Sequence, residues 1–281
     1  MVRKCLPRVA RAIITGRMSK PKLTVKEIFA LKGKRQLTEV FVSTPEEAAA
    51  CEAAGIDMLV TMGGDMLRAV RDAAPHTFVT GALEYGHVVS ATDAVRQAFD
   101  RMNAGADAVY ARMSAEWLRE MAKEHILVVG HVGMIPQIRT WWGGFKAVGK
   151  TADEALRIYQ HTLAHQEAGC IGVEMEVVPA RIATEIAKRV DICVLSMGSG
   201  DGCDAQYLFS CDILGLNQGH VPRHAKVYGN LHAEMERIQR LRTEAYSGYK
   251  NDVDAGTYAT PANTVPIPDA EFEMFLAEID K

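Results

Sequence analysis

The sequence predicts an α/β fold, a single (β/α)8 TIM barrel with an N-terminal helix and a C-terminal tail, and three observations carry that expectation. The first is a recurring phrase: an amphipathic helix, then Ala-Gly, then a short apolar run. It appears as AAGIDMLV (53–60), NAGADAVYA (103–111), EAGCIGVEME (167–176) and, with the glycine replaced, KRVDICVLSMG (188–198). The Ala-Gly step closes a helix, and the continuous apolar run is that of a strand buried on both faces. The second is alternation of such strands with helices of about 10 to 15 residues, which implies βαβ units and parallel pairing. The third is the count of candidate strands, at 37–42, 57–62, 76–81, 107–111, 126–130, 170–176, 191–197 and 213–217. Eight strands close a barrel. The rival, an open doubly wound sheet, lacks a G-x-G-x-x-G after its first strand.

Taken in order, TVKEIFALKG (24–33) is a helix placed to plug the bottom of the barrel before the first strand. A last helical stretch at about 230–245 is followed by a Gly/Pro/Asn/Thr-rich segment, Ser247 to Pro268, and a short acidic helix, AEFEMFLAEI (270–279). The expected organisation is therefore an extension (1–22), a barrel catalytic domain (23–246) and a tail (247–281). Alone, the tail buries too little surface to hold itself, so it is expected to be a subunit contact in a homo-oligomer. Met1 to Arg17 carries five Lys/Arg and no acid. It is expected to be a largely disordered upstream extension before the MSKPKLT start at Met18, with an organelle transit peptide as the alternative.

The 281 residues are 48% hydrophobic and 24% charged, with a mean hydropathy of −0.05, the balance of an ordinary globular protein. A net charge of −3 gives no long-range attraction for nucleic acid. No apolar run approaches the roughly 18 residues of a membrane span. Six cysteines without a C-x-x-C pair point to reduced thiols, and a cytoplasmic location is expected.

In such a barrel the catalytic groups lie at the C-terminal strand ends and in the loops that follow. The candidate mouth residues are therefore Asp65, Glu84, Tyr110, Arg112, His131, Glu174, Glu176 and the MGSGDG stretch (197–202). Glu176 ends an apolar strand before Val-Val-Pro. A half-buried carboxylate there is expected to have a raised pKa, which suits a general base, with a helix cap or salt bridge as the alternative. Glu174 shares its strand face by alternation. His131 stands between glycines at a strand terminus, a place for a ligand contact or for a core histidine. Asp65 either holds a metal or substrate hydroxyl or caps a helix beginning at Met66. Asp201 and Asp204 are expected to cap a seventh helix. Trp141, Trp142 and Phe145 lie in a loop expected to be a lid or a subunit contact.

Three blocks resemble a known family. GHVGMIPQIRTWWGGFKAVGKTADEA (130–155) is similar to the G-H-[LIV]-G-[LM]-x-P-Q…GG-[FY]-[KR]-x-x-G-[KR] block of ketopantoate hydroxymethyltransferases. EAGCIGVEMEVVPARIATEIAKRV (167–190) is similar to their E-A-G-A…L-E-x-V-P segment, and 198–228 to their G-[AI]-G…D-G-Q-x-L-V…D-x-L-G…P-[RK]-F-x-[KR] segment. The resemblance covers about 23–245. It implies a barrel related to the phosphoenolpyruvate/pyruvate superfamily, Mg²⁺ to enolise a 2-oxo acid, and methylenetetrahydrofolate as one-carbon donor. It places the family's catalytic glutamate on Glu176, its histidine on His131 and its first metal aspartate on Asp65. The chain departs elsewhere: the second metal aspartate falls on Ala82, and the lysine and metal-binding glutamate of K-[LIV]-E-G fall on Tyr110 and Arg112. The loop after G-D-S is shortened as well.

A hard cation wants oxygen ligands. Asp65, with Glu84 as a substitute, is what the sequence offers it, so Mg²⁺ is doubtful and the cofactor is left unassigned. Arg112 is expected to clamp a substrate carboxylate, with Tyr110 as an added donor and Asp65 and Glu174 as further substrate contacts. The leading expectation is a hydroxymethyltransferase-like enzyme that makes or breaks a carbon–carbon bond beside the carbonyl of a small 2-oxo acid. Glu176 would be its base and His131 its donor or acid. A metal-independent lyase or hydrolase and a non-catalytic metabolite-binding barrel stay open.

Overall fold

The structure is a computed structural model and describes residues 21–280. Most of the expected 1–22 extension, with its transit-peptide alternative, lies outside the described residues. The chain divides into two compact units between Tyr228 and Gly229.

In the first unit eight parallel strands form a closed barrel in sequence order. They are β1 (Leu37–Phe41), β2 (Met58–Thr61), β3 (Phe78–Ala82), β4 (Ala108–Tyr110), β5 (Val128–Gly133), β6 (Gly172–Glu176), β7 (Cys193–Met197) and β8 (Ala205–Phe209). Helices α2 (Pro45–Ala54), α3 (Asp65–Ala73), α4 (Ala91–Asn103), α5 (Ala115–Lys123), α6 (Ala152–Glu167) and α7 (Ala180–Ala187) follow the first six strands. The Ala-Gly phrases fall at helix-to-strand joints, as the sequence predicts. Outward strand residues such as Val173, Met175 and Val194 pack under α6 and α7 with Ile158, Ala183 and Ile186. Inward residues Leu37, Met58, Phe78, Val129, Cys193 and Leu195 fill the lower barrel.

Helix α1 (Val25–Leu31) closes that lower end: Ile28 joins the same interior cluster. Its start is fixed by a capping box in which Thr24 and Glu27 satisfy each other's backbone N–H.

The eighth strand differs from the expectation. It is 205–209 rather than 213–217, and residues 210–213 form a short helix, α8 (Ser210–Ile213). No helix intervenes between β7 and β8, so Asp201 and Asp204 do not cap one. The turn from Gly198 to Asp204 instead ties the strands directly. The Asp204 carboxylate accepts from the Val194 N–H and from Lys32 Nζ, at 2.8 and 2.6 Å. Gln36 donates to the carbonyls of Asp201 and Cys203. With these hydrogen bonds the short turn satisfies the backbone that a helix would otherwise have satisfied.

The second unit holds α9 (Leu231–Asp254) and α10 (Asp269–Ile279). Helix α9 runs unbroken past residue 247, where the expected tail begins. No residue of either helix is buried. Among the described residues no helix is long and apolar enough to cross a membrane, and the five described cysteines are free thiols.

Candidate active site

Strand alternation decides which side chains meet at the top of the barrel. On β6, Val173 and Met175 face the helices, so Glu174 and Glu176 face the interior. His131 lies within β5, not beyond its end, and its register pairs it with Glu174. The strand is two to three residues further along the chain than the apolar run ILVVG suggests, because Gly130 and Gly133 are strand residues here.

Both glycines are required by their neighbours. A Cβ on Gly130 would lie 2.1 Å from His165 Cδ2, a buried ring of α6. Gly133 has φ +89°, and a Cβ there would lie 2.4 Å from the Glu176 carbonyl oxygen. The glycines therefore let β5 approach α6 and β6 closely enough to set His131 between the two glutamates.

The His131 ring is held from both sides. Nδ1 lies 2.8 Å from the Tyr110 hydroxyl and 3.5 Å from Glu174 Oε2. Nε2 lies 3.0 Å from the Met134 carbonyl and 3.3 Å from Glu176 Oε2. A carbonyl only accepts, so Nε2 carries a proton. Burial opposes a charge on this ring, but the hydrogen bonds to Glu174 and Glu176 outweigh it and push the pKa up to about 9. His131 is an imidazolium at neutral pH, and both N–H groups are committed within the protein. Burial raises the Glu174 carboxyl, partly offset by His131. Its Oε1, buried on the cavity wall, has no hydrogen-bond partner. Burial and the neighbouring Glu174 also raise Tyr110 well above the usual phenol value, so it keeps its proton.

Arg112 sits beyond β4, its guanidinium 5.8 Å from the Tyr110 ring centre and 5.9 Å from that of Tyr85. Gln137, with its amide oxygen turned inward, accepts from Arg112 Nε and Nη1 at 3.2 Å each. Two cavities meet at this wall. One, of about 600 Å³, contains Glu84, Tyr110, Arg112, His131, Glu174 and Glu176, together with Phe41, Val60, Met62, Met197, Tyr207 and Phe209. The other, of about 530 Å³, shares Tyr85, Arg112 and His131 and adds Val88, Trp117, Ile138 and His161.

The structure thus brings together six of the seven predicted site residues and leaves out Asp65. That residue is exposed, opens α3 behind Gly64 rather than capping it, and lines neither cavity. Glu84 faces the mouth but is paired with Arg101 Nη2 at 3.3 Å. The Arg101 guanidinium, almost fully buried, also donates from Nε to the Ala82 carbonyl and lies over Gly63. Sequence reasoning missed Arg101 because it lies two turns or more into α4, where an arginine looks like a solvated helix face. It also missed Tyr85 and Gln137, whose roles depend on loop paths. Trp142 packs against the outer core while Trp141 and Phe145 are exposed.

A family model described as ketopantoate hydroxymethyltransferase matches residues 54–261. The chain belongs to the ketopantoate hydroxymethyltransferase family. It is 32% identical over 254 residues to 3-methyl-2-oxobutanoate hydroxymethyltransferase 1 of Methylibium petroleiphilum, covering 88% of this chain and 84% of that one. It is 34% identical to the enzyme of that name from Thermus thermophilus, covering 84% and 96%. Among solved structures, 2,3-dimethylmalate lyase, a member of the PEP mutase/isocitrate lyase superfamily, matches with a TM-score of 0.55 at 12% identity, covering 86% of this chain and 98% of the other. The carboxyl transferase domain of Rhizobium etli pyruvate carboxylase matches with a TM-score of 0.55 at 10% identity, covering 70% and 45%. At these identities the structural likeness speaks for the barrel, and the sequence relatives place this chain in a family of hydroxymethyltransferases.

Proposed function

We propose that this member of the ketopantoate hydroxymethyltransferase family makes or breaks a carbon–carbon bond beside the carbonyl of a 2-oxo acid, and that it enolises the acid with its own side chains. The observation that carries the reading is the buried imidazolium set between two carboxylates in the cavity that also holds Arg112. Carboxylates in unlike environments divide acid and base roles between them. Arg112, steadied by Gln137 and the two tyrosine rings, holds the substrate carboxylate. Glu176 takes the proton from the carbon next to the carbonyl. Glu174, whose carboxyl burial raises while His131 holds it back, presents the unpartnered Oε1 to the cavity, and the carboxyl carries a proton to the oxygen where charge develops as the enol forms. Both N–H groups of His131 are engaged, so it acts by fixing the two glutamates and adding positive charge to the wall rather than by touching the substrate.

A divalent cation does not fit these residues. His131, Glu174 and Glu176 do converge, but the ring has both nitrogens committed to Tyr110 and Met134 and offers a cation no free lone pair, and no metal-holding group of three such side chains is found among the described residues. Glu84 already has a guanidinium partner, and Arg112 brings a second fixed charge to the same space. Methylenetetrahydrofolate, implied by the family, would supply the electrophilic carbon when bound. Within this chain, the second cavity, with Tyr85 and Trp117 on its walls, is the space open to such a planar donor. Run in reverse on a hydroxymethylated 2-oxo acid, the same machinery is a metal-independent lyase: Glu176 takes the hydroxyl proton, the carbon–carbon bond breaks, and formaldehyde and the enol of the 2-oxo acid are released.

The test is deuterium exchange at C3 of 3-methyl-2-oxobutanoate in D₂O with EDTA, followed by proton NMR. Exchange is expected with the chelator present, and Glu176→Gln should slow it by roughly 10²- to 10⁴-fold. Exchange that needs added Mg²⁺ or Mn²⁺, or that ignores Glu176→Gln, sinks this mechanism. No exchange at all would favour a binding protein.

We propose in addition that the chain works as a homo-oligomer in the cytoplasm. The support for assembly is that α9 and α10 expose Met235, Ile238, Leu241, Phe272 and Phe275, and the location rests on the free thiols of the described cysteines.

A further inference from the structure

The far wall of the larger cavity has a chemistry of its own, which deepens the reading of Arg112 as a carboxylate clamp and rests on it. In an eight-stranded barrel closed in sequence order, β4 and β8 stand opposite each other. Arg112 follows β4. Across the mouth, the ends of β1, β2, β7 and β8 present Phe41, Val60, Met62, Met197 and Phe209. An acid gripped at Arg112 therefore sends its substituent past β5 and β6, where Glu174 and Glu176 stand, and into this wall.

The wall is aromatic and ordered. Phe41 and Phe209 are register partners with ring centres 5.1 Å apart and tilted by 41°. Tyr207 stacks on Phe209 at 5.6 Å and 29°. Burial and the nearby glutamates keep the Tyr207 hydroxyl protonated. Two thioethers, Met62 and Met197, complete the wall, and sulfur packs well against a ring guest. The cavity, at about 600 Å³, is in the size range of sites for drug-sized ligands, far more than a five-carbon acid displaces.

We infer that Phe41, Val60, Met62, Met197, Tyr207 and Phe209 form a slot that selects 2-oxo acids carrying an aryl or similarly large flat substituent over small branched-chain acids. Offset or edge-on ring contacts with Phe41 and Phe209 supply the preference.

The experiment is calorimetric titration of the full chain with oxamate analogues, which mimic a 2-oxo acid but cannot enolise: N-isopropyl oxamate and N-benzyl oxamate. The benzyl analogue is expected to bind at least about tenfold tighter. Phe209→Val should remove most of that ratio while leaving the isopropyl affinity within about twofold. Met62→Trp, at the exposed rim, should block the benzyl analogue and spare the isopropyl one, which keeps the test valid if Phe209→Val fails to fold. Arg112→Gln should weaken both analogues alike. Equal affinities for the two analogues in the wild type, or a ratio unmoved by both slot variants, overturns the slot. Equal affinities that still fall with Arg112→Gln leave the clamp standing while the slot fails. If neither analogue binds the wild type, the clamp reading fails and the slot with it.

Discussion

His131 shows how far a residue's role can depart from its place in a motif. A histidine between glycines looks like a donor to substrate, yet both its nitrogens are occupied by Tyr110, Met134 and the two glutamates. Its charge should register in folding. The folded pKa of about 9 lies above the ordinary histidine value of about 6.5, so between those pH values the folded chain binds the extra proton. Stability then falls as pH rises through that window. The contribution is complete below about pH 6.5 and lost above about 9. At about 1.36 kcal/mol per tenfold change in proton affinity, it is of order 3 kcal/mol. Denaturant unfolding at pH 6 and pH 9.5 is the measurement. His131→Gln should flatten the difference, and an unchanged pH slope in that variant would show that the ring is neutral. Glu174, Glu176, Tyr110 and Arg112 were legible because strand alternation and position at a strand end constrain them. Arg101 was not, since its burial depends on Gly63 leaving room for a guanidinium arriving from another element.

At the scale of elements, the closeness of β5 to β6 and α6 is set by two missing side chains. Gly133→Ala should destabilise the protein by about 3 kcal/mol, combining a left-handed backbone with a steric collision. Gly86, also at positive φ (+92°) but with nothing within 4 Å of where a methyl would stand, is the control. Gly86→Ala should cost only about 1 kcal/mol. Thermal or urea unfolding of the two variants compares them directly; equal losses would mean that backbone conformation alone matters. The seven strands that the Ala-Gly rhythm or an apolar run announced were legible within a few residues. The eighth was misplaced because AQYLF carries a glutamine and follows a glycine-rich turn with no helix before it. Its identity as a strand comes from bonds to β1 and β7 that leave no local mark. Val177, at φ +47°, is a second local departure: a β-branched residue is strained there, and it ends β6 immediately after Glu176.

For the whole molecule, the net charge of −3 says little about the mouth, where Arg101 answers Glu84 and the His131 imidazolium lies against Glu174 and Glu176. Arg112, whose described partners are Gln137 and two tyrosine rings rather than a carboxylate, is the charge placed to meet a small anion. The proposed assembly is checked by light scattering on eluting protein. A mass well above the 30.8 kDa of one chain is expected, falling when the chain is truncated after Tyr228, and a monomeric full chain would refute it. The placement of the three tryptophans has one further consequence. Trp117 is half-buried on the wall of the smaller cavity, Trp142 packs against the outer core, and Trp141 is 80% exposed. An indole so placed is a built-in optical gauge: its emission changes colour and intensity when a guest displaces water beside it. Removing the exposed indole with Trp141→Phe would leave Trp142, packed against the core away from this cavity's lining, as the other emitter, and the filling of the smaller cavity could be followed as the change in Trp117 emission over that background without any label.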